Sequence, residues 1–288
     1  MLAFARLVHP FPSALDAAAT AALALLAGGT AASALVLGVS MLALQFAIGA
    51  LNDLVDAPRD VVVRPTKPVA AGRIGRRTAA VVAVAAVAIG LTLAATRGLP
   101  TLAVAVAGLA TGVLYDLRLK ATALSWLPFA IGVPLIPVYA WLGATGTVPA
   151  PILGLAVLAF PAGAGLAIAN ALADVPADSV AGTRTVATRL GATSAWLLAT
   201  ALLAGTFAAA VAVLIAAGAG PVASAVTGRL GALAWAAIVA GGVFLGLGAW
   251  LGLGPGADRR RLGWGMEGVG LAALACGWVG ALAVAGLL

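Results

Sequence analysis

Apolar runs of helical length recur along the chain at about 13–30, 33–52, 78–96, 99–115, 123–142, 150–170, 193–217, 230–251 and 264–287. Several approach 20 residues without a charge, the length an α-helix needs to cross a hydrocarbon core. In that medium each backbone amide must be satisfied within its own segment, so the pattern predicts helices rather than open strands. Ala, Gly, Leu and Val dominate the runs, and the small residues suit close helix packing. The expectation is an all-α, polytopic membrane bundle of about nine transmembrane helices, forming one domain over residues 1–288. Gly28-Gly29 separates the first two runs. The first run is read as a span and not as a cleavable signal peptide.

Composition agrees with the pattern. The chain is 63% hydrophobic and only 9% charged, where an ordinary soluble domain is about a quarter charged. A soluble enzyme, a disordered chain and, with Cys276 as the single cysteine, a disulfide scaffold are thereby excluded. The net charge of +7 suggests a nucleic-acid binder until its distribution is examined. Fourteen of the sixteen basic residues fall in the N-terminal tail or in the connections after the second, fourth, sixth and eighth runs; only Arg97 and Arg229 fall on the other side. The positive-inside rule then predicts a multi-pass protein of the cell (inner or plasma) membrane with its N-terminus cytoplasmic and its C-terminus outside. The charge thus reads as a topology signal whose default partner is the lipid bilayer and its anionic headgroups, not nucleic acid.

The nine acidic residues are more informative. Asp53, Asp56, Asp60, Asp116, Asp174, Asp178 and Asp258 lie in or beside the same basic connections, Asp16 and Glu267 in the adjoining halves of their spans, and none on the other side. The second run ends in Asn52, Asp56, Pro58 and Asp60, and the sixth in Asn170, Asp174, Pro176 and Asp178. Both read N-x-x-x-D-x-P-x-D, at a constant offset of 118 residues. Four spans separate the copies, so both emerge on one face as a parallel repeat. A spacing of four puts successive residues on one side of a helix, and Pro58 and Pro176 are expected to end or kink their helices. Oxygen-only ligand sets suit Mg²⁺, which binds through one or two carboxylates together with waters and substrate phosphates. Basic residues follow each copy (Arg64 and Lys67; Arg184 and Arg189), as phosphate clamping requires.

These residues resemble the UbiA-type family of intramembrane prenyltransferases over nearly the whole chain. The first family signature, N-D-x-x-D-x-x-x-D, is met by Asn52, Asp53, Asp56 and Asp60, followed by Arg64-Pro65-Thr66-Lys67-Pro68. The second, D-x-x-x-D, is met by Asp174 and Asp178, followed by Gly182-Thr183-Arg184-Thr185. A third element appears as Tyr115-Asp116-Leu117-Arg118-Leu119-Lys120, with the lysine five residues after the tyrosine where the commonest family pattern has four. Lys120 and Arg118 therefore both stay open for that position.

The resemblance implies a central cavity open to the cytoplasmic face and a prenyltransferase dependent on Mg²⁺. It implies a polyprenyl diphosphate donor whose tail lies among the apolar helices. Asp56, Asp60, Asp174 and Asp178 would hold metal, with Asn52, Asp53 and Asn170 in support, and Arg64, Lys67, Tyr115, Lys120 and Arg184 would meet the diphosphate or steady the departing charge. The acceptor stays open among an aromatic acid, a naphthoate, a tetrapyrrole, a lipid alcohol and a sugar phosphate, and so does the donor's length.

Other polar residues carry weaker readings. His9, the only histidine, is read as interfacial; Asp16 and Glu267 either line an acceptor pocket or snorkel to the interface. Gln45 is read as a helix-packing hydrogen-bonder, Trp126 and Trp141 as interfacial anchors, Cys276 as packing, and Arg259-Arg260-Arg261 as a solvated loop. The rival function is a transporter using the acids as a cation path. Transporters favour midplane sites and often inverted repeats, whereas this repeat is parallel and lies at helix ends.

Overall fold

A computed structural model describes residues 2–180, 182–221 and 228–288. Among them each apolar run coincides with a helix. The short α1 (Leu2–Leu7) is followed by α2 (Pro10–Leu26), α3 (Ala31–Val63), α4 (Arg76–Ala95), α5 (Leu99–Leu114), α6 (Leu127–Thr145) and α7 (Ala150–Leu172). Two short helices, α8 (Val175–Val180) and α9 (Val186–Leu190), lead to α10 (Ala192–Ala216), α11 (Arg229–Gly252) and α12 (Ala257–Val284). Eight helices are long and apolar enough to cross a membrane. The remaining apolar helix, α2, has 17 residues, and at 1.5 Å per residue it spans about 25 Å.

The long helices pack in chain order and α12 returns to α2, closing a ring in which α2 also meets α6 and α12 meets α7. Small residues set the tightest crossings. A Cβ at Gly241 would stand 2.8 Å from the Gly270 carbonyl oxygen, and one at Gly248 2.7 Å from that of Gly263, so α11 and α12 touch backbone to backbone. Gly163 does the same for α7 against α6, where a Cβ would lie 2.3 Å from the Phe129 carbonyl oxygen. Gly163→Ala must push the two helices apart, and we expect a stability loss of about 1–3 kcal/mol in thermal melts.

Side-chain hydrogen bonds tie the helices of the bundle together. The Tyr139 hydroxyl donates to Ser40 Oγ at 2.7 Å, and Ser40 Oγ donates to the Gly90 carbonyl at 2.7 Å, joining α6, α3 and α4. Trp278 Nε1 donates to the Ala210 carbonyl at 3.0 Å. Trp141 is buried in the same core at 6% exposure. It is a packing residue and not the interfacial anchor its position at the end of a run suggests.

The prolines of the repeat behave differently from each other. α3 does not end at Pro58 but runs on to Val63 with the proline inside it. The second copy does break: α7 stops at Leu172, and Pro176 sits in the first turn of α8. The first copy is therefore one continuous helix, and the second is a helix end plus a short helix.

Candidate active site

The two acidic motifs face one another across one cleft. Asp56, Asp60, Asp174 and Asp178 all line it, with Asn170, Tyr115, Lys120, Arg59, Arg64, Thr183 and Thr185. Each of the four aspartates is met by a basic side chain. Arg59 Nη2 donates to Asp178 and Arg64 Nη2 pairs with Asp174, so cations on α3 and on the segment just after it reach across to the second motif. Lys67 Nζ lies 2.8 Å from Asp60, 3.6 Å from Asp56 and 3.5 Å from Asp53, and Lys120 Nζ pairs with Asp56. Arginines thus neutralise the second motif and lysines the first.

The electrostatics follow from this cross-pairing. Burial works against the charge on Arg64, but Asp174, then Asp60 and Asp178, raise its pKa above the ordinary arginine value. Burial pushes the Asp178 carboxyl up from the usual range, against the pull of Arg59.

Asn52 and Asp53 serve the walls of the cleft. Asn52 Nδ2 donates to Asp116 Oδ1 at 2.7 Å, fastening the segment after α5 to α3. Asp53, 1% exposed, accepts from the Val69 amide at 3.0 Å and so holds the loop that bears Arg64 and Lys67. Helix geometry accounts for the spacing of Lys120 from Tyr115. Residues Tyr115–Leu119 form a turn of π-helix, closed by the Lys120 amide donating to the Tyr115 carbonyl at 2.9 Å. A π turn absorbs one extra residue, so a lysine five positions on still returns to the tyrosine's side; Lys120 Nζ lies 5.9 Å from the Tyr115 ring centroid. Arg118 is exposed.

Some assignments shift. Arg184 is exposed and does not line the cleft, although its neighbours Thr183 and Thr185 do. Arg59, hidden between Pro58 and Asp60 in the first motif, takes a site position that the spacing did not single out. Arg260 and Arg261 lie not in a loop but near the start of α12, where Arg261 stays exposed. Arg260 Nη1 donates to the Leu172 carbonyl at 3.0 Å, and Arg261 Nη2 reaches Asp174 at 3.4 Å. His9 also stands by the site: Gly49 lets the Val8 backbone lie on α3 one turn before Asn52. Burial, then Lys67 and Lys120, hold the imidazole down to about 4, so it is neutral. Glu267 is 4% exposed and does not snorkel, and Asp16 accepts from Gln45 Nε2 on α3, as helix packing requires.

Whether the cleft suits Mg²⁺ is a question of donors. Among the described residues no three carboxylates converge as a ready-made metal cage. Mg²⁺ does not need one, since it keeps waters and takes one or two carboxylates plus phosphate oxygens. Four aspartates and an asparagine around a polar cleft give that oxygen-only set, and the cations between them are the partners a diphosphate would take. The residues fit the ion.

The chain is similar to known proteins over most of its length. A sequence profile of the UbiA prenyltransferase family matches residues 16–262. A digeranylgeranylglyceryl phosphate synthase from Methanopyrus kandleri is 32% identical over 218 residues, covering 74% of this chain and 77% of that protein. Among solved structures, the apo form of a UbiA homolog from Aeropyrum pernix superposes with a TM-score of 0.69 at 22% identity, covering 98% of this chain and 99% of that one. A UbiA homolog from Archaeoglobus fulgidus bound to DMAPP and Mg²⁺ gives 0.69 at 18% identity, with 99% of each chain covered. At these identities the structural likenesses show the fold.

Proposed function

The chain belongs to the UbiA prenyltransferase family and is a multi-pass membrane prenyltransferase, and from that premise we propose that it uses Mg²⁺ to move a polyprenyl group from a prenyl diphosphate to the hydroxyl of a glycerophosphate lipid. The observation that carries the reading is the cross-pairing of the motifs, Arg59 with Asp178 and Arg64 with Asp174. It puts oxygen donors and phosphate-binding cations around one cleft in nearly equal number. The lipid acceptor is supported by the Methanopyrus kandleri relative, named for a glyceryl phosphate product.

In this reading Asp56, Asp60, Asp174 and Asp178 hold the ion, and Asn170 adds an oxygen. Bound there, Mg²⁺ supplies Lewis-acid neutralisation of the diphosphate. Arg59, Arg64, Lys67 and Lys120 release their carboxylates and turn to the diphosphate oxygens, where fixed positive charge favours departure over the bound ground state. The C1–O bond of the donor breaks with its electron pair going to diphosphate. Tyr115 offers the allylic cation the ring face that now meets Lys120, a cation–π contact. The acceptor oxygen bonds to C1 and gives its proton to the departed diphosphate. Asn52 and Asp53 keep the walls in place, and the whole of 1–288 acts as one domain. The basic bias of the motif-bearing face supports a cytoplasmic site in the cell membrane, with the N-terminus inside and the C-terminus outside. A transporter is not favoured: both motifs stand at helix ends beside a clamp suited to phosphate.

Protein in liposomes, given Mg²⁺ and a labelled prenyl diphosphate, is expected to release pyrophosphate and form an ether product when a glycerophosphate lipid is supplied, and to stop on chelation. Mass spectrometry of the products from lipid and aromatic acceptors decides. Prenylation of the aromatic acid alone would replace the lipid reading.

A further inference from the structure

Each motif contains a proline, which has no amide hydrogen to give. In an α-helix the amide of residue i donates to the carbonyl of residue i−4. Pro58 therefore leaves the Leu54 carbonyl without its usual donor inside α3. α7 ends at Leu172, whose carbonyl is a terminal one, and Pro176, four residues on, cannot extend the ladder to it. Both carbonyls have been given a substitute. Arg76 Nη1 donates to the Leu54 carbonyl at 3.2 Å, and Arg260 Nη1 donates to the Leu172 carbonyl at 3.0 Å. Leu54 and Leu172 stand at the same 118-residue offset as the motifs, but the two arginines do not. One opens α4 and the other lies in the first turn of α12. The repeat has met the same deficit twice, by unrelated routes.

We propose that Arg76 and Arg260 are positioning residues that replace the hydrogen bonds Pro58 and Pro176 cannot receive from their own chain, and so set the angle at which the two acidic motifs meet. A carbonyl without a donor is costly at the margin of a membrane. A helix C-terminus is also the negative end of the helix dipole, where each motif adds two carboxylates. A guanidinium answers both problems, and its several donors let it brace more than one element. Arg260 Nε also donates to the Gly254 carbonyl at 3.2 Å, tying the α11–α12 turn to the end of α7. The next residue, Arg261, thereby comes to Asp174. Neither Arg76 nor Arg260 lines the cleft, so both act through the aspartates and not on substrate.

The test is a double-mutant cycle. Arg260→Met is expected to raise the Mg²⁺ concentration for half-maximal turnover about tenfold and to leave the acceptor KM unchanged. Pro176→Ala restores an N–H four residues after Leu172, so the cost of Arg260→Met in that background should fall at least fivefold. Equal cost in both backgrounds overturns the proposal, since Arg260 would then act elsewhere. Arg76→Met with Pro58→Ala repeats the cycle on the first motif and decides the matter should Pro176→Ala not fold. The turnover readout rests on the prenyl-transfer reading. The Mg²⁺-induced rise in Tm of the same variants does not: a wild type inactive with every acceptor sinks that reading, while the Tm cycle still judges the arginines.

Discussion

Asp56→Ala and Asp174→Ala are each expected to lower prenyl transfer by about a thousandfold or more while leaving the protein folded. The two aspartates come from opposite motifs, and each is engaged from the other side of the cleft or from a separate helix: Asp56 by Lys120, Asp174 by Arg64. If both motifs hold metal around one diphosphate, loss of either dismantles the same unit. The double variant should then be little worse than the more damaged single one, as happens when residues act together. The fold should survive because the cations left behind face a polar cleft and can be hydrated. Pyrophosphate release, read beside a thermal melt, checks the outcome. Activity within tenfold of wild type for either variant would remove that motif from the reaction.

What the sequence disclosed and what it hid have a common physical reason. Span length and the N-x-x-x-D-x-P-x-D spacing are one-dimensional quantities, so the bundle, the parallel repeat and the meeting of its four aspartates could be read from residue order. The continuation of α3 through Pro58 could not. The Leu54 carbonyl is met by Arg76, 22 residues away, and the Leu172 carbonyl by Arg260, 88 residues away. Residue order discloses neither partner. The same holds for Lys120, whose five-residue spacing from Tyr115 looked anomalous until the π turn took up the extra residue. Arg260 looked like one of three solvated arginines because nothing in residue order says that α12 begins beside α7. Arg184, which follows Asp178 closely in the sequence, is exposed, while Thr183 and Thr185 on either side line the cleft.

Lys67→Met should increase the stabilisation that Mg²⁺ brings while lowering turnover. The ammonium lies 2.8 Å from Asp60, 3.5 Å from Asp53 and 3.6 Å from Asp56, and it also donates to Asn52 Oδ1 at 3.3 Å. Its side chain is 16% exposed, so it is only partly screened by water. Removing it leaves like charges crowded at one helix end, where the dipole is already unfavourable to anions. Breaking a fully buried pair costs 3–5 kcal/mol; with partial hydration and Lys120 still on Asp56, we expect a loss of about 2–3 kcal/mol without Mg²⁺. A divalent ion would then supply the charge that the lysine did. Added Mg²⁺ should therefore raise the Tm of Lys67→Met by more than it raises that of the wild type, because the ion no longer has to displace an ammonium. Turnover should nonetheless fall about ten- to a hundredfold, since the diphosphate loses a cation that the ion's tighter seat does not replace. A Mg²⁺-induced rise no larger than in wild type would mean that the ion does not enter where Lys67 stands, and the assignment of Asp60 to the metal would fall with it.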